Sequence, residues 1–259
     1  MEKIEKRLSF NELYCDEAYD ASSVMCCAFR RNTDVWNGIR LSIGNMVGGY
    51  PFEIEGVRFH NSECAYIAAA FSLGTEEHLA IQRELVKCTN GLLAKRSIRR
   101  PNTHLMRSDW EEFNVSWMQY VVWCKCLGNS DFARKLVSIP REAVIIEDST
   151  FQGGSTATFW GTRNAEVKRK SLDLKPKLKA QGLNKAAIKR ELDARRLGEW
   201  AEVGVYRGKN VMGKILMDCR EALLTGVPPT IDVDRLRAAH ITLLDRPLSF
   251  DFATKAIVV

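Results

Sequence analysis

The sequence predicts a mainly helical α+β domain with a small amount of sheet, on the evidence of two apolar patterns. Segments that begin near Asp109 and Asn210 repeat apolar residues at spacings of three and four, which indicates amphipathic helices. Short alternating or β-branched runs at 51–59 and 143–146 indicate strands. With 46% hydrophobic and 27% charged residues among 259, the chain can bury a large core as a single domain.

The first clear element is a tight β-hairpin that turns at Glu55–Gly56. A helix then runs through Phe71 and is capped by Asn61 or Ser62. Glu63 lies in its first turn, where the helix dipole favours a carboxylate. The first forty residues show no clear hydrophobic periodicity, so we assign them neither helix nor strand.

Polar residues also stand at the ends of the later elements. The helix that Asp109 opens follows Arg107, and the strand at 143–146 ends at Glu147 and Asp148. A polar, Gly-rich loop then leads to Trp160, and the helix after Asn210 stops at Gly226. Such ends are the places where a scaffold presents chemistry.

The charge of the chain is concentrated in one segment, residues 165–200, which we call the basic insert. The chain carries 38 Lys and Arg against 32 Asp and Glu, a surplus of +6. The basic insert holds eleven cations against five anions and so supplies the whole surplus. Its pattern predicts a short helix from about Asn184 to Leu197, and its positive charge indicates a surface able to contact DNA.

Several function classes are excluded by missing signatures. Gly208–Lys209 lacks the remainder of a phosphate-binding loop, and neither a dinucleotide fingerprint nor a nucleophile elbow occurs. The eight cysteines and four histidines lack zinc-site spacing, so we expect free thiols, no metal ion and no redox cofactor. The charged amino terminus and the short apolar runs predict a cytoplasmic protein without membrane contact.

The polar element ends occur in an order that resembles the NADAR (YbiA-like) family. The resemblance covers residues 45–224, interrupted by the basic insert and followed by an extension at 225–259. The matching pieces, in chain order, are Asn45–Met46, Pro51–Phe52, Asn61 to Tyr66, Phe71, Arg107 to Trp110, Met118, Lys125, Glu147–Asp148, Phe159 to Gly161, and Gly208 to Arg220.

This resemblance implies a single YbiA-like domain and an N-glycosidase activity. The family removes ADP-ribose from modified guanine bases in nucleic acid, which is a form of DNA repair, and hydrolyses ribosylamine intermediates of the riboflavin pathway. The expected partner is therefore an ADP-ribosylated base, nucleotide or nucleic acid. The implied catalytic residues are Glu63, Asp148 and Glu147, and the implied substrate-binding residues are Asn45, Arg107, Asp109, Trp160, Gly161, Lys209 and Asn210.

Two departures from the family pattern leave an alternative open. Family members often carry Lys at the position of Ala70 and Asp at the position of Ala157. Either Asp148 replaces the missing acid, or the protein binds an ADP-ribose-like nucleotide without turning it over. Structural roles are the competing interpretation for Glu63, for the Arg107–Asp109 pair and for Asn210.

Overall fold

The computed structural model describes residues 9–251 and shows the expected α+β architecture, in which helices predominate. A π-helix, Ala94–Arg99, continues α4 directly, and a 3₁₀ turn covers Thr103–Leu105. The α-helices are α1 Phe10–Leu13, α2 Ser62–Ala69, α3 Glu76–Lys87, α4 Gly91–Leu93, α5 Trp110–Gly128, α6 Ser130–Val137, α7 Thr156–Trp160, α8 Ala165–Ala180, α9 Lys185–Leu197, α10 Val211–Thr225 and α11 Val233–Ala238.

The strands are short and form five small sheets. They are β1 Glu17–Asp20, β2 Cys26–Phe29, β3 Val35–Trp36, β4 Ile39–Arg40, β5 Phe52–Ile54, β6 Val57–Phe59, β7 Val144–Glu147, β8 Arg163–Asn164, β9 Val205–Gly208, β10 Thr242–Leu243 and β11 Arg246–Pro247. β1, β9 and β8 form an antiparallel sheet in that order, and β2 pairs with β7 in parallel. The remaining pairs are β3–β4, β5–β6 and β10–β11.

The described chain divides into two compact units. Unit 1 contains residues 9–10, Asn45–Ser138 and the described chain from Asp218 onward. Unit 2 contains Asn11–Gly44 and Ile139–Met217. The basic insert belongs to unit 2. No helix within residues 9–251 is both long enough and apolar enough to cross a membrane.

Three local predictions for unit 1 are confirmed, whereas α2 ends at Ala69, two residues before the predicted Phe71. The β5–β6 hairpin turns through Glu55 and Gly56, both at positive φ, as a type I′ turn requires. The Asn61 side chain accepts a hydrogen bond from the Cys64 N–H and so caps α2. Gly226, at φ 74°, follows the last residue of α10.

The basic insert is more helical than the sequence pattern suggested. It forms two helices, and the predicted one is α9, capped by the Asn184 side chain. The unpredicted one, α8, contains Pro176, which removes the hydrogen bond to the Leu172 carbonyl. Leu172 is 58% exposed, so the missing hydrogen bond lies on the solvent side of the helix, which continues past Pro176.

A buried ion pair anchors the basic insert within unit 2. The Arg196 guanidinium lies 2.6 Å from the Asp34 carboxylate and 3.5 Å from that of Asp148, and all three side chains are at most 3% exposed. Asp193 adds ion pairs to Arg30 and Arg31. Removal of one partner from such a buried pair costs about 3–5 kcal/mol, because the other charge is left without compensation.

In the core of unit 2, the Asn210 side-chain amide hydrogen-bonds to the backbone of β7. The Asn210 Nδ2 donates to the Ile145 carbonyl at 2.8 Å, and its Oδ1 accepts from the Glu147 N–H at 3.1 Å. Asn210 is fully buried, at φ 50°. Its amide therefore satisfies both backbone groups of β7 as a neighbouring strand would.

Three glycines permit the backbone to approach this strand closely. A Cβ on Gly213 would lie 2.2 Å from the Ile145 carbonyl oxygen, and one on Gly161 would lie 2.5 Å from the Glu147 carbonyl oxygen. A Cβ on Gly208 would lie 2.5 Å from the Gly161 carbonyl oxygen. These distances are far below van der Waals contact, so each position requires glycine.

Unit 1 buries Lys125, another residue of the family-like set. Its ammonium lies 4.1 Å from the Phe132 ring centroid and 5.3 Å from that of Tyr50, with no hydrogen-bond partner among residues 9–251. Burial lowers the pKa of Lys125 to about 7. Its surroundings are therefore those of a core residue held by cation–π contacts.

The glycine contacts lead to a stability prediction. We expect Gly213→Ala to lower the free energy of unfolding by about 3 kcal/mol, because the new methyl group must displace the backbone of β7 or the Asn210 amide. In thermal unfolding, this corresponds to a Tm lower by roughly 10 °C. Gly153→Ala is the control, since a Cβ there meets no atom within 4 Å. Equal Tm values for the two variants would contradict the close packing.

Candidate functional site

The ten candidate residues divide between the two units. Unit 1 contains four of them: Asn45, Glu63, Arg107 and Asp109. Unit 2 contains the other six: Glu147, Asp148, Trp160, Gly161, Lys209 and Asn210.

Asn45 and Glu63 are joined by two hydrogen bonds. The Asn45 carbonyl accepts from the Glu63 N–H at 3.0 Å, and the Asn45 Nδ2 donates to the Glu63 Oε2 at 2.5 Å. Glu63 lies in the first turn of α2 and is 2% exposed. A Cβ added to Gly91 would lie only 3.0 Å from the Glu63 Cβ. The carboxylate is therefore held in a fixed position by neighbours that pack closely around it.

Two cations of the π-helix, Lys95 and Arg99, act electrostatically on the Glu63 carboxylate. Burial raises the pKa of Glu63, and the positive charges of Lys95 and Arg99 partly oppose this rise. A buried carboxyl group with a raised pKa is suited to act in proton transfer.

The sequence pattern does not distinguish these two cations from their neighbours. They belong to a run of four at positions 95, 96, 99 and 100, and Lys95 and Arg99 have the i, i+4 spacing of one helix face. In the sequence, such a charged run is typical of an ordinary solvated helix face. In the structure, Lys95 is exposed and Arg99 is half-buried. The i, i+4 spacing is the one feature of the sequence that pairs Lys95 with Arg99. Their common effect on the Glu63 pKa is evident only in the folded chain.

Ala70 lies along the side of α2 that carries Glu63 and Tyr66, since these positions are related by i, i+3 and i+7. Ala70 is fully buried, and its carbonyl accepts from the Arg107 N–H. The position at which the family often has Lys is thus a small apolar contact. The ring of Tyr66 packs edge-on against Trp110 with centroids 4.8 Å apart.

Arg107 uses its guanidinium for contacts within the protein. It donates to both oxygens of Asp109 at 2.9 and 2.7 Å, to the Ser72 hydroxyl at 2.8 Å and to the Ala239 carbonyl at 2.5 Å. Arg107 also lies over the Phe113 ring. Its hydrogen bond to Asp109 lowers the pKa of that carboxyl. This arrangement favours the structural interpretation of the pair.

The two carboxylates after β7 have different environments. Asp148 is fully buried, accepts from the Thr150 N–H at 3.0 Å and lies 3.5 Å from the Arg196 guanidinium. The Glu147 side chain is half-buried, and its backbone binds Asn210. The contacts of Asp148 anchor the basic insert and favour a structural role for that carboxylate.

The remaining candidates in unit 2 also hold backbone in place. The Lys209 ammonium donates to the carbonyls of Asn11, at 2.8 Å, and Tyr14. Trp160 is half-buried at the end of α7, with its ring edge-on to Phe159 at 5.5 Å. Gly161 and Asn210 belong to the packing around β7 described above.

A cavity of about 500 Å³ lies in unit 1, away from these candidates. Its lining residues are Pro51, Phe52, Glu53, Arg58, Cys124, Leu127, Gly128 and Asn129. None of the ten candidates is among them. Within residues 9–251, no group of three or more His, Cys, Asp or Glu side chains is placed to hold a metal ion.

Comparison with known proteins gives a limited result. No family model matches the sequence, and no curated protein does. Among solved structures, the chain is similar to the NMR structure of the E. coli protein YbiA, with a TM-score of 0.46 and 17% sequence identity. The alignment covers 79% of this chain and 91% of that chain.

The burial of Glu63 leads to a prediction about the pH dependence of stability. Between the ordinary pKa of 4.5 and the raised value, the folded protein holds a proton that the unfolded chain has lost. Stability therefore falls as pH rises through this window. Glu63→Gln removes the titration and keeps an oxygen for the Asn45 Nδ2. We expect the Tm of the variant to exceed that of the native protein at pH 8.

The difference in Tm should shrink as the pH approaches 4, where the native carboxyl is protonated in both states. Glu84→Gln, an exposed change on α3, is the matched control and should leave the Tm unchanged at both pH values. A Glu63→Gln protein that is less stable than native at pH 8 would show that the ionised carboxylate stabilises the fold.

Proposed function

We propose that this protein hydrolyses the N-glycosidic bond of a ribosylated base, with ADP-ribose on guanine in nucleic acid or nucleotides as its substrate class. One observation carries the proposal: Glu63 is a buried carboxylate fixed by Asn45 and accompanied by the cations of Lys95 and Arg99. The resemblance of the ordered motifs to the NADAR family supports the same activity.

The chemistry of this reaction suits such a carboxylate. Water adds to the anomeric carbon of the ribose, and the electrons of the breaking C–N bond pass to the base, which takes up a proton. The transition state resembles an oxocarbenium ion, so a nearby carboxylate stabilises its positive charge or accepts a proton from the attacking water. Asn45 fixes the Glu63 oxygen, which limits the reorganisation that the reaction requires.

A binding protein that retains an ADP-ribose-like nucleotide without hydrolysis is the second candidate function. Ala70 favours it, because this buried methyl group offers no nucleophile or proton donor where the family often has Lys. A third candidate keeps the hydrolase and changes the substrate to a ribosylamine intermediate of the riboflavin pathway.

The basic insert supports a nucleic-acid form of the substrate. Lys168, Leu172, Lys175 and Lys179 follow one side of α8 at i, i+4, i+7 and i+11, and all four are exposed. On α9, Arg196 is buried with Asp34. The exposed Lys185, Lys189 and Arg190 of α9 remain, so both helices of the insert offer cations to a phosphate backbone.

The hydrolase proposal predicts a strong effect of one substitution. We expect Glu63→Gln to lower the turnover of guanine-linked ADP-ribose by about 100-fold or more, because it removes the charge and preserves the volume. Release of ADP-ribose from modified DNA measures the rate. If the carboxylate acts as a base, the activity of the native protein should rise with pH on a limb that lies above the ordinary Glu value of 4.5.

Glu84→Gln is again the control and should retain full activity. Calorimetry with ADP-ribose separates the two leading candidates, since tight binding with no product from any base or ribosylamine substrate establishes the binding protein. Full activity of a folded Glu63→Gln protein would remove Glu63 from the mechanism.

The basic insert yields a separate prediction. Reversal of Lys168, Arg169 and Lys170 to Glu should lower the rate on a DNA-linked substrate by at least about tenfold and leave the rate on a free nucleotide unchanged. Each cation that contacts a phosphate releases roughly one counterion from DNA, and the variant loses this contribution to binding. The native rate on DNA should fall steeply with salt. Reversal of Arg83, Lys87 and Arg141, all exposed outside the insert, is the control. Equal loss on both substrates would contradict a role in nucleic-acid binding.

A further inference from the structure

Two cysteines lie together where the segment between α3 and α4 packs on the start of α2. The Cys64 thiol donates to the Cys88 carbonyl at 3.3 Å, and the two thiols are within hydrogen-bonding range of each other. The Cys88 thiol also donates to the Asn90 carbonyl at 3.3 Å. None of the eight cysteines, all of which lie within residues 9–251, is in a disulfide. The fold therefore holds these two sulfurs side by side without joining them.

A second thiol pair, Cys126 and Cys219, provides an internal comparison. These two side chains hydrogen-bond to each other, and both are at most 3% exposed. Cys64 is fully buried as well, whereas Cys88 is half-buried at the end of α3. A dissolved oxidant can therefore reach one sulfur of the Cys64–Cys88 pair and neither sulfur of the other pair.

The position of Cys88 in the chain allows the two sulfurs to approach. Cys88 follows the last residue of α3 and adopts an extended conformation. It begins the short connection of residues 88–90 that leads to α4. Such a connection shifts more readily than a helix does, and Cys64 is fixed within α2. Closure of the pair therefore moves Cys88 toward Cys64.

We propose that Cys64 and Cys88 form a modification site at which a peroxide converts the two thiols into a reversible disulfide beside Glu63. The Cys88 sulfur attacks one peroxide oxygen, the O–O bond breaks and water leaves, so Cys88 becomes a sulfenic acid. The Cys64 sulfur then attacks the Cys88 sulfur, the S–O bond breaks, and the hydroxyl leaves with the Cys64 proton as a second water. The two thiols together lose two protons and two electrons to one peroxide.

The two cysteines take different roles because their surroundings differ. Desolvation by burial raises the pKa of Cys64, and the neighbouring Cys88 and Glu63 add to this rise. A thiol reacts with peroxide as its thiolate, so Cys64 is a poor first nucleophile and the half-buried Cys88 is the better one. Cys64 is then the resolving thiol, which stops the oxidation of Cys88 before it reaches the sulfinic acid.

The disulfide acts on the surroundings of Glu63. Glu63 directly precedes Cys64, and Asn61, the cap of α2, donates to the same Cys88 carbonyl at 3.4 Å. A Cβ added to Gly91 would lie 3.0 Å from the Glu63 Cβ and 3.1 Å from the Asn61 Oδ1. There is no room between these elements, so movement of residues 88–91 toward α2 displaces the cap or Glu63.

The test is mass spectrometry of the full chain after treatment with hydrogen peroxide, alkylation of the remaining thiols and digestion. We expect a crosslinked peptide pair that contains Cys64 and Cys88 and is lighter than its two parts by the mass of two hydrogen atoms. This disulfide should form at least about tenfold faster than any between Cys126 and Cys219, and dithiothreitol should reverse it. A parallel sample of N-acetylcysteine shows when the peroxide has oxidised an ordinary thiol.

Cys15→Ser is the matched control, because Cys15 is an exposed thiol outside the pair, and this variant should form the same disulfide. In Cys64→Ser, Cys88 should stop at a sulfenic acid that dimedone traps, and in Cys88→Ser, Cys64 should stay a thiol. The native chain decides the question even if Cys64→Ser does not fold. Two unmodified thiols after N-acetylcysteine is oxidised would overturn the site, as would a Cys88 sulfinic acid beside an unmodified Cys64.

The effect on Glu63 rests on the proposed function and is measured separately. If the native protein turns over guanine-linked ADP-ribose, the oxidised protein should do so at least about threefold more slowly, because the disulfide shifts the segment beside Glu63. Dithiothreitol should restore the rate, and Cys88→Ser should be insensitive to peroxide. An unchanged rate in the fully oxidised protein overturns the link to Glu63. A disulfide that forms in a protein without turnover overturns the hydrolase and leaves the modification site intact.

Discussion

The two hydrogen bonds between the Asn210 amide and β7 hold the core of unit 2 together. They satisfy a buried carbonyl and a buried N–H of the strand, groups that would each cost about 1–3 kcal/mol if left unpaired. The amide reaches the strand only because Gly213 carries no side chain at the point of closest approach. The loop at Gly161 and the end of β9 at Gly208 then pack against the same place. Gly161, Gly208 and the Asn210–Gly213 segment are separated in the sequence, but they pack together against β7 in the fold.

This contact changes how the family-like motifs are interpreted. In unit 2, Gly161, Lys209 and Asn210 are occupied by backbone packing or by protein carbonyls. In unit 1, Glu63 is fixed by Asn45, and the Lys95 and Arg99 side chains that act on its pKa make no hydrogen bond or ion pair within residues 9–251. A recurrent pattern can therefore reflect the demands of a tight backbone junction as readily as chemistry. The groups with unused bonding capacity are the better guide to the reactive part of this molecule.

The sequence predicted the elements whose signals are local. The Glu55–Gly56 turn, the Asn61 cap and the stop at Gly226 each depend on the conformation of one or two residues, and each occurs where expected. The pairing of Arg196 with Asp34 joins residues 162 positions apart, and no local pattern encodes it. The sequence pattern did not predict α8, which contains Pro176 and so lacks one backbone hydrogen bond of a regular helix. Lys95 and Arg99 were missed because a charged run shows its partner only after the chain has folded.

The buried Arg196 also bears on how the basic insert could be gained or lost. A surface loop can usually be deleted with little effect, because it leaves nothing behind in the core. Here, deletion would leave Asp34 and Asp148 as two buried carboxylates without their common cation. A chain that acquires this insert together with the carboxylate pair therefore cannot return to the shorter form in one step. Natural relatives without the insert should carry uncharged residues at these two positions or supply another cation from elsewhere.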